Sequence, residues 1–129
     1  PMITEVGAHK EYLRTREAWA RHFLSSIEKT LIEAEQYPEL YKFYFMMLLQ
    51  NNEYAKRLQY HETRYLSERV VPHLISALRL PEIEAYALAE VLLSMRMGIV
   101  LNWLFAAEQT PKARKRILKV IQTRILMRR

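Results

Sequence analysis

The sequence predicts a single all-α domain, a helical bundle of about five helices, and its composition and length carry this prediction. Only two of the 129 residues are glycine, which is too few for a protein that depends on β-turns. Leu, Ala, Glu, Lys and Arg, which all favour helices, are abundant. The chain length suits one domain with one contiguous core. We therefore expect one domain over 1–129, with 1–8 as an N-terminal tail and 9–129 as the bundle.

The first two predicted helices are separated by a proline. The first runs from about residue 9 to residue 36, because apolar residues recur there at helical spacing, namely Trp19, Phe23, Ile27 and Leu31. Pro38 ends it, since the residue before a proline is pushed out of the helical region. The second helix, 38–50, is apolar on nearly every face, so we expect other helices to enclose it.

The last three predicted helices cover 53–80, 81–107 and the chain from Thr110 onward. Pro72 should kink the third helix near Arg69, since proline cannot donate a backbone hydrogen bond. The fourth helix is apolar almost all round. The fifth begins with the cap Thr110 followed by Pro111, and it carries isoleucines and a leucine along one side and cations along the other.

The fourth and fifth helices predict a homodimer. A helix that is apolar on all faces needs neighbours on all sides. The other four helices are short or apolar on one face only, so they are expected to cover it incompletely. Small residues on one face of the fourth helix permit close approach of a second copy. The expected interface consists of Ala87, Ser94, Gly98, Leu101, Ile117, Leu118, Ile121 and Ile125. The alternative is a monomer in which the second helix covers the fourth.

The charge is concentrated at the C-terminal end of the chain. The net charge is +6, yet residues 111–129 hold eight cations and no acid, which leaves 1–110 with a net charge of −2. A basic helix of this kind is either a solvated face or a surface that binds phosphates of a nucleic acid. The segment lacks the aromatic residues that stack on bases, which favours the solvated face.

The sequence offers little chemistry for an enzyme. It contains no Cys and no Asp, and its four His residues show no metal-ligand spacing. We expect no catalytic residue, no metal and no cofactor. No secretory signal is visible, so a cytoplasmic location is expected. The stretch 85–107 is long enough to cross a bilayer, but Glu90 and Arg96 favour the central helix of a soluble bundle, with no contact with a membrane.

Several segments resemble the C-terminal regulatory domain of the tetracycline-repressor (TetR) family of bacterial transcription regulators. They are 61–66, which reads His-Glu-Thr-Arg-Tyr-Leu, together with 74–78, 85–93 and 98–101. Residues 9–13 look like the segment with which that family leaves its DNA-binding module. Only about eight residues precede the first helix, too few for a helix-turn-helix module. The resemblance therefore implies contact with DNA only through an N-terminal module missing from this sequence.

The resemblance also implies a pocket between the first four helices that binds a small, largely apolar effector. The side chains expected to line it are aromatic residues, a methionine and a few polar groups: Trp19, Phe23, Tyr41, Phe45, His61, Arg64, Tyr65, Met95, Asn102 and Trp103. The aromatic residues are equally compatible with an ordinary core. Arg64 either faces the effector or forms an exposed pair with Glu68. The alternative function is a helical adaptor that binds a protein or a nucleic acid through its basic last helix.

Overall fold

The computed structural model of the protein describes residues 15–126, and every regular element in that range is helical. Helix α1 is Arg16–Gln36, and its cap is Thr15, whose hydroxyl accepts a hydrogen bond from the backbone N–H of Ala18 at 3.1 Å. The predicted start at residue 9 lies outside the described residues. Helix α2, Pro38–Leu49, follows Tyr37 directly, so the proline boundary is confirmed.

Helix α3 spans 53–78 and changes its winding in the middle. It is α-helical over Glu53–Tyr65, π-helical over Leu66–Val70 and α-helical again over Val71–Leu78. The backbone N–H of Val71 bonds to the carbonyl of Leu66, five residues back, just before Pro72 interrupts the hydrogen-bond ladder. The irregularity predicted near Arg69 is therefore a π-helical turn.

The last two helices both pack against α1. Helix α4 is Glu82–Leu104, shorter at both ends than the sequence predicted, and Pro81 is its N-cap. Helix α5 is Pro111–Ile121 and continues as a π-helical turn over Gln122–Leu126. The predicted cap at Thr110 is confirmed, since its hydroxyl accepts from the N–H of Ala113 at 3.1 Å. The all-α helical bundle is thus confirmed.

The core lies where α1 crosses α3 and α4. Ile27, Leu31 and Leu74 are completely buried there, and Ala85 and Ala89 let α4 approach closely. Helix α2 lies at the edge and packs against α1, α3 and α4 on one side only. None of its residues is fully buried, so the prediction that α2 is enclosed was wrong. Its outer side leaves a row of exposed apolar residues, namely Phe43, Met46 and Leu49.

A charged network ties α5 to α1 and α4. The Nη1 atom of Arg114 donates to both carboxylate oxygens of Glu35, at 2.6 and 2.9 Å. The indole Nε1 of Trp103 donates to the same carboxylate at 3.1 Å. Both charged side chains are largely withdrawn from solvent, with 14% of Arg114 and 21% of Glu35 exposed. One cation of the basic segment therefore points into the bundle.

Candidate functional site

A cavity of about 420 Å³ lies between α1, α2, α3 and α4. A volume of this size suits a drug-sized organic molecule. The lining residues come from all four helices and combine apolar with polar side chains: Thr30, Glu33, Leu40, Tyr41, Tyr44, Phe45, Glu62, Leu93, Arg96, Met97 and Val100.

Helical spacing brings these side chains to the cavity. One face of α2 carries two adjacent residues and the two residues one turn later, at positions 40, 41, 44 and 45. On α4 the residues 93, 96, 97 and 100 likewise follow the i, i+3, i+4, i+7 pattern. Most of the resulting wall is apolar, with Phe45 and Met97 among its large side chains.

The polar groups of the cavity form a cluster of two carboxylates, two phenols and one guanidinium. The Tyr44 hydroxyl donates a hydrogen bond to Oε1 of Glu62, which joins α2 to α3. Tyr41 interacts with Glu33 of α1. Arg96 of α4 acts electrostatically on both Tyr41 and Glu62. Among residues 15–126 no ion pair within 4.0 Å joins Arg96 to a carboxylate.

Burial shifts the titration of two members of this cluster. The pKa of Glu62 is raised because the half-buried carboxylate loses hydration, and the positive charge of Arg96 only partly opposes the rise. The pKa of Tyr41 is raised by burial first and then by the charge and hydrogen-bond acceptor of Glu33, while Arg96 opposes the rise. Glu62 is therefore a half-buried carboxylate whose loss of hydration is only partly offset by Arg96, while Glu33 at the same cavity is exposed.

Two of the ten residues predicted to bind an effector, Tyr41 and Phe45, line this cavity. Trp19 and Phe23 instead stack on each other, with ring centroids 5.3 Å apart and planes at 11°, against the core. Trp103 is 2% exposed and bonds to Glu35, and Met95 packs against the core. These aromatic residues behave as an ordinary core, the alternative that their helical spacing had left open.

The four remaining predicted residues face solvent. His61, Tyr65 and Asn102 are exposed. Arg64 is exposed too and donates to Oε1 of Glu68 from Nε at 3.2 Å and from Nη2 at 3.0 Å, so its inward placement was wrong. The reason lies in the rotation of α3, which turns the stripe 55, 58, 62 and 66, apolar except for Glu62, inward and leaves the stripe of Arg64 outside.

Four polar groups of the cavity are not among the ligand-binding residues that the sequence predicts, namely Glu33, Tyr44, Glu62 and Arg96. Glu62 carried a detectable signal, because it is the one charged residue on the inward stripe of α3. In the sequence, Arg96 is recognisable only as a charge within the apolar fourth helix. The structure places it on the cavity side of α4.

The other side of α4 is exposed and mostly apolar. It carries the predicted interface residues Ala87, Ser94, Gly98 and Leu101, together with Ile83 and Val91, which are 85% and 63% exposed. A Cβ atom added at Gly98 would meet nothing within 4 Å. The predicted interface residues of α5 are less exposed than those of α4. Ile121 is buried in the core of its own chain, Ile117 and Leu118 pack against that core, and Ile125 is 51% exposed.

Within the described range one helix, Glu82–Leu104, is long and apolar enough to cross a membrane by length and composition. The core helix of a soluble protein passes the same test. Only 28% of its most apolar window is buried inside the domain, so the exposed face needs an explanation of its own.

A scan against protein-family models gives no match, and comparisons with curated proteins and with solved structures give none either.

Proposed function

We propose that this chain is the effector-binding and dimerisation domain of a TetR-like bacterial transcription regulator, acting in the cytoplasm. Its cavity takes a small, largely apolar effector, and a face of α4 pairs with a second copy. DNA would be read by a separate helix-turn-helix module. The observation that carries the proposal is the cavity of about 420 Å³ between four helices, with apolar walls and a cluster of polar side chains.

The way in which α2 and α3 are held supports a sensing role. Helix α2 has no fully buried residue, so few apolar contacts resist its displacement. It meets α3 through the hydrogen bond from Tyr44 to Glu62, and Glu62 lies four residues before the π-helical turn at Leu66. A ligand that replaces this hydrogen bond would shift α2 and bend α3 at the turn, where the regular ladder is already interrupted.

The exposed side of α4 supports pairing. Its large apolar side chains flank the small residues Ala87, Ser94 and Gly98, so two such helices can approach each other closely. The cavity and this face lie on opposite sides of the same helix: Arg96 faces the cavity and Gly98 faces outward. Helix α4 is therefore the element through which an effector would act on the pairing of two copies.

Filling the cavity is expected to weaken ligand binding while leaving the fold intact. In Leu93→Trp the larger side chain occupies space between α2 and α4, so calorimetry with the neutral probe 4-phenylbutanol should show an affinity at least about tenfold weaker, roughly 1.4 kcal/mol. The control is Leu49→Trp, which adds the same group at a position 88% exposed. Equal affinity for the probe in both variants would contradict the proposed binding site.

The adaptor alternative depends on the exposed cations of α5, which form one face of that helix: Lys112, Lys115, Arg116 and Lys119. Arg114 does not belong to this face, because it bonds to Glu35 inside the bundle. Charges of this kind neutralise phosphates in a manner that salt weakens. An adaptor for nucleic acid would use this face specifically, whereas a solvated face contributes only to the net charge.

Heparin chromatography separates the two functions. One variant changes the four exposed cations of α5 to Gln, and the matched control changes four exposed cations of the body to Gln, namely Arg21, Lys29, Lys56 and Arg57. Both variants lose the same net charge. We expect them to elute at the same salt concentration, since the last helix is a solvated face. Earlier elution of the α5 variant alone would favour the adaptor.

A further inference from the structure

We infer that the ligand of this cavity is an organic cation, an apolar body that carries one amine or similar positively charged group held by Glu62 and Glu33. This inference rests on the proposed ligand-binding function and names the chemical class of the ligand. It follows from the charges that surround the cavity, the donors already in use there and the aromatic surface beside them.

The charge count of the cavity favours a cation. Glu33 and Glu62 contribute two carboxylates from α1 and α3, and Arg96 contributes one guanidinium from α4. An anionic ligand would place a third negative charge around a single cation. A cationic ligand makes the numbers of positive and negative charges equal. Because electrostatic interactions strengthen as water is excluded, a ligand that covers the half-buried Glu62 would be selected in part by its charge.

The hydrogen bonds of the cluster lead to the same conclusion. The hydroxyl of Tyr44 already donates to Glu62, and a carboxylate accepts several hydrogen bonds through its two oxygens. Glu62 therefore retains acceptor capacity for an ammonium N–H. Burial raises the pKa of Glu62 in spite of Arg96, which indicates that one guanidinium does not fully compensate the carboxylate.

Aromatic residues complete the site for a cation. The rings of Tyr41, Tyr44 and Phe45 line the cavity on α2, directly beside the carboxylates. The face of an aromatic ring attracts a cation, and the attraction grows when the cation is desolvated. Leu93 and Met97 on α4 supply the opposite apolar wall, which suits the hydrocarbon body of such a ligand.

Three probes with one skeleton test this inference. 4-Phenylbutylamine is a cation at pH 7, 4-phenylbutanol is neutral and 4-phenylbutanoate is an anion. Calorimetry on the full chain should show the amine binding at least about tenfold more tightly than the alcohol, and the carboxylate binding most weakly. The variant Glu62→Gln keeps the acceptor for Tyr44 but removes the charge, so the preference for amine over alcohol should fall to about twofold.

The control is Glu68→Gln on the same helix, where the exposed carboxylate pairs with Arg64 outside the cavity, and it should leave the preference unchanged. The affinity for the amine should also rise with pH as Glu62 loses its proton, and Glu62→Gln should remove this part of the dependence. The other titratable or charged side chains that face the site are Glu33, Tyr41, Tyr44 and Arg96, and all four are unchanged in this variant.

The outcomes distinguish the class of ligand from the presence of a binding site. Equal binding of amine and alcohol, or tightest binding of the carboxylate with loss in Arg96→Met, would overturn the inference and leave the cavity as a site for neutral or anionic ligands. The proposed ligand-binding function itself is wrong if no probe binds, or if each probe binds to Leu93→Trp as tightly as to the unaltered chain. The cationic ligand would then be ruled out with it.

Discussion

Replacing Glu35 with alanine is expected to lower the free energy of unfolding by about 2–3 kcal/mol. The variant leaves the guanidinium of Arg114 and the indole N–H of Trp103 without the carboxylate that both contact. Arg114 also has a buried Nε atom without a hydrogen-bond partner, so it depends on Glu35 all the more. Since the network joins α5 to α1 and α4, the loss should loosen the whole C-terminal helix. Urea denaturation followed by circular dichroism measures the change.

The matched control is Glu39→Ala, which removes a carboxylate of the neighbouring helix. Glu39 is 88% exposed at its side chain and lies 3.6 Å from Lys42, so its loss should cost at most about 0.5 kcal/mol. A destabilisation by Glu35→Ala no larger than that of the control would show that the network does not hold α5 in place. A conservative Glu35→Gln should be intermediate, because the amide still accepts one hydrogen bond.

Replacing Gly98 with leucine is expected to separate pairing from folding. In the single chain a new side chain at Gly98 enters open space, and leucine favours a helix over glycine by about 0.7 kcal/mol, so the fold should be slightly more stable. At a close contact between two α4 helices the same side chain forces them apart. We expect the dimer dissociation constant to rise by about 100-fold, roughly 2.7 kcal/mol.

Native mass spectrometry and analytical ultracentrifugation measure this change. The unaltered chain should give a species near twice 15.5 kDa, whereas Gly98→Leu should give mostly monomer. Lys29→Leu adds the same side chain at an exposed position of α1 and should remain dimeric. A clean monomer of the unaltered chain would remove pairing through α4 from the proposal, and another partner for its apolar face would then have to be sought.

Ligand binding and pairing of two copies would both involve helix α4. Arg96 and Gly98 are two residues apart on α4 and face opposite sides of it. A ligand that moves Arg96 would rotate or shift the face that carries Gly98. Coupling of this kind is reciprocal, so ligand affinity should depend on protein concentration around the dimer dissociation constant.

Several helix boundaries were determined by local sequence. Pro38 and Pro111 are the first residues of α2 and α5, and the hydroxyl of Thr110 caps α5. Pro72 predicted the irregularity of α3. These signals work because a cap or a proline acts on backbone groups within four residues, whatever the rest of the chain does. The scarcity of glycine and the helical periodicity of apolar residues were sufficient to predict the all-α class, because both are also properties of the local sequence.

The tertiary structure alone decided which faces meet. Spacing put Arg64 and Glu62 on adjacent stripes of α3, and only the packing of α3 against α2 and α4 turned Glu62 into the cavity and Arg64 into solvent. In the same way, the sequence does not distinguish Arg114 from the other seven cations of the C-terminal segment. The fold does, because it places Glu35 of α1, 79 residues away in sequence, against Arg114. The rotation of a helix about its axis depends on the sum of contacts with distant segments, and no local pattern contains that sum.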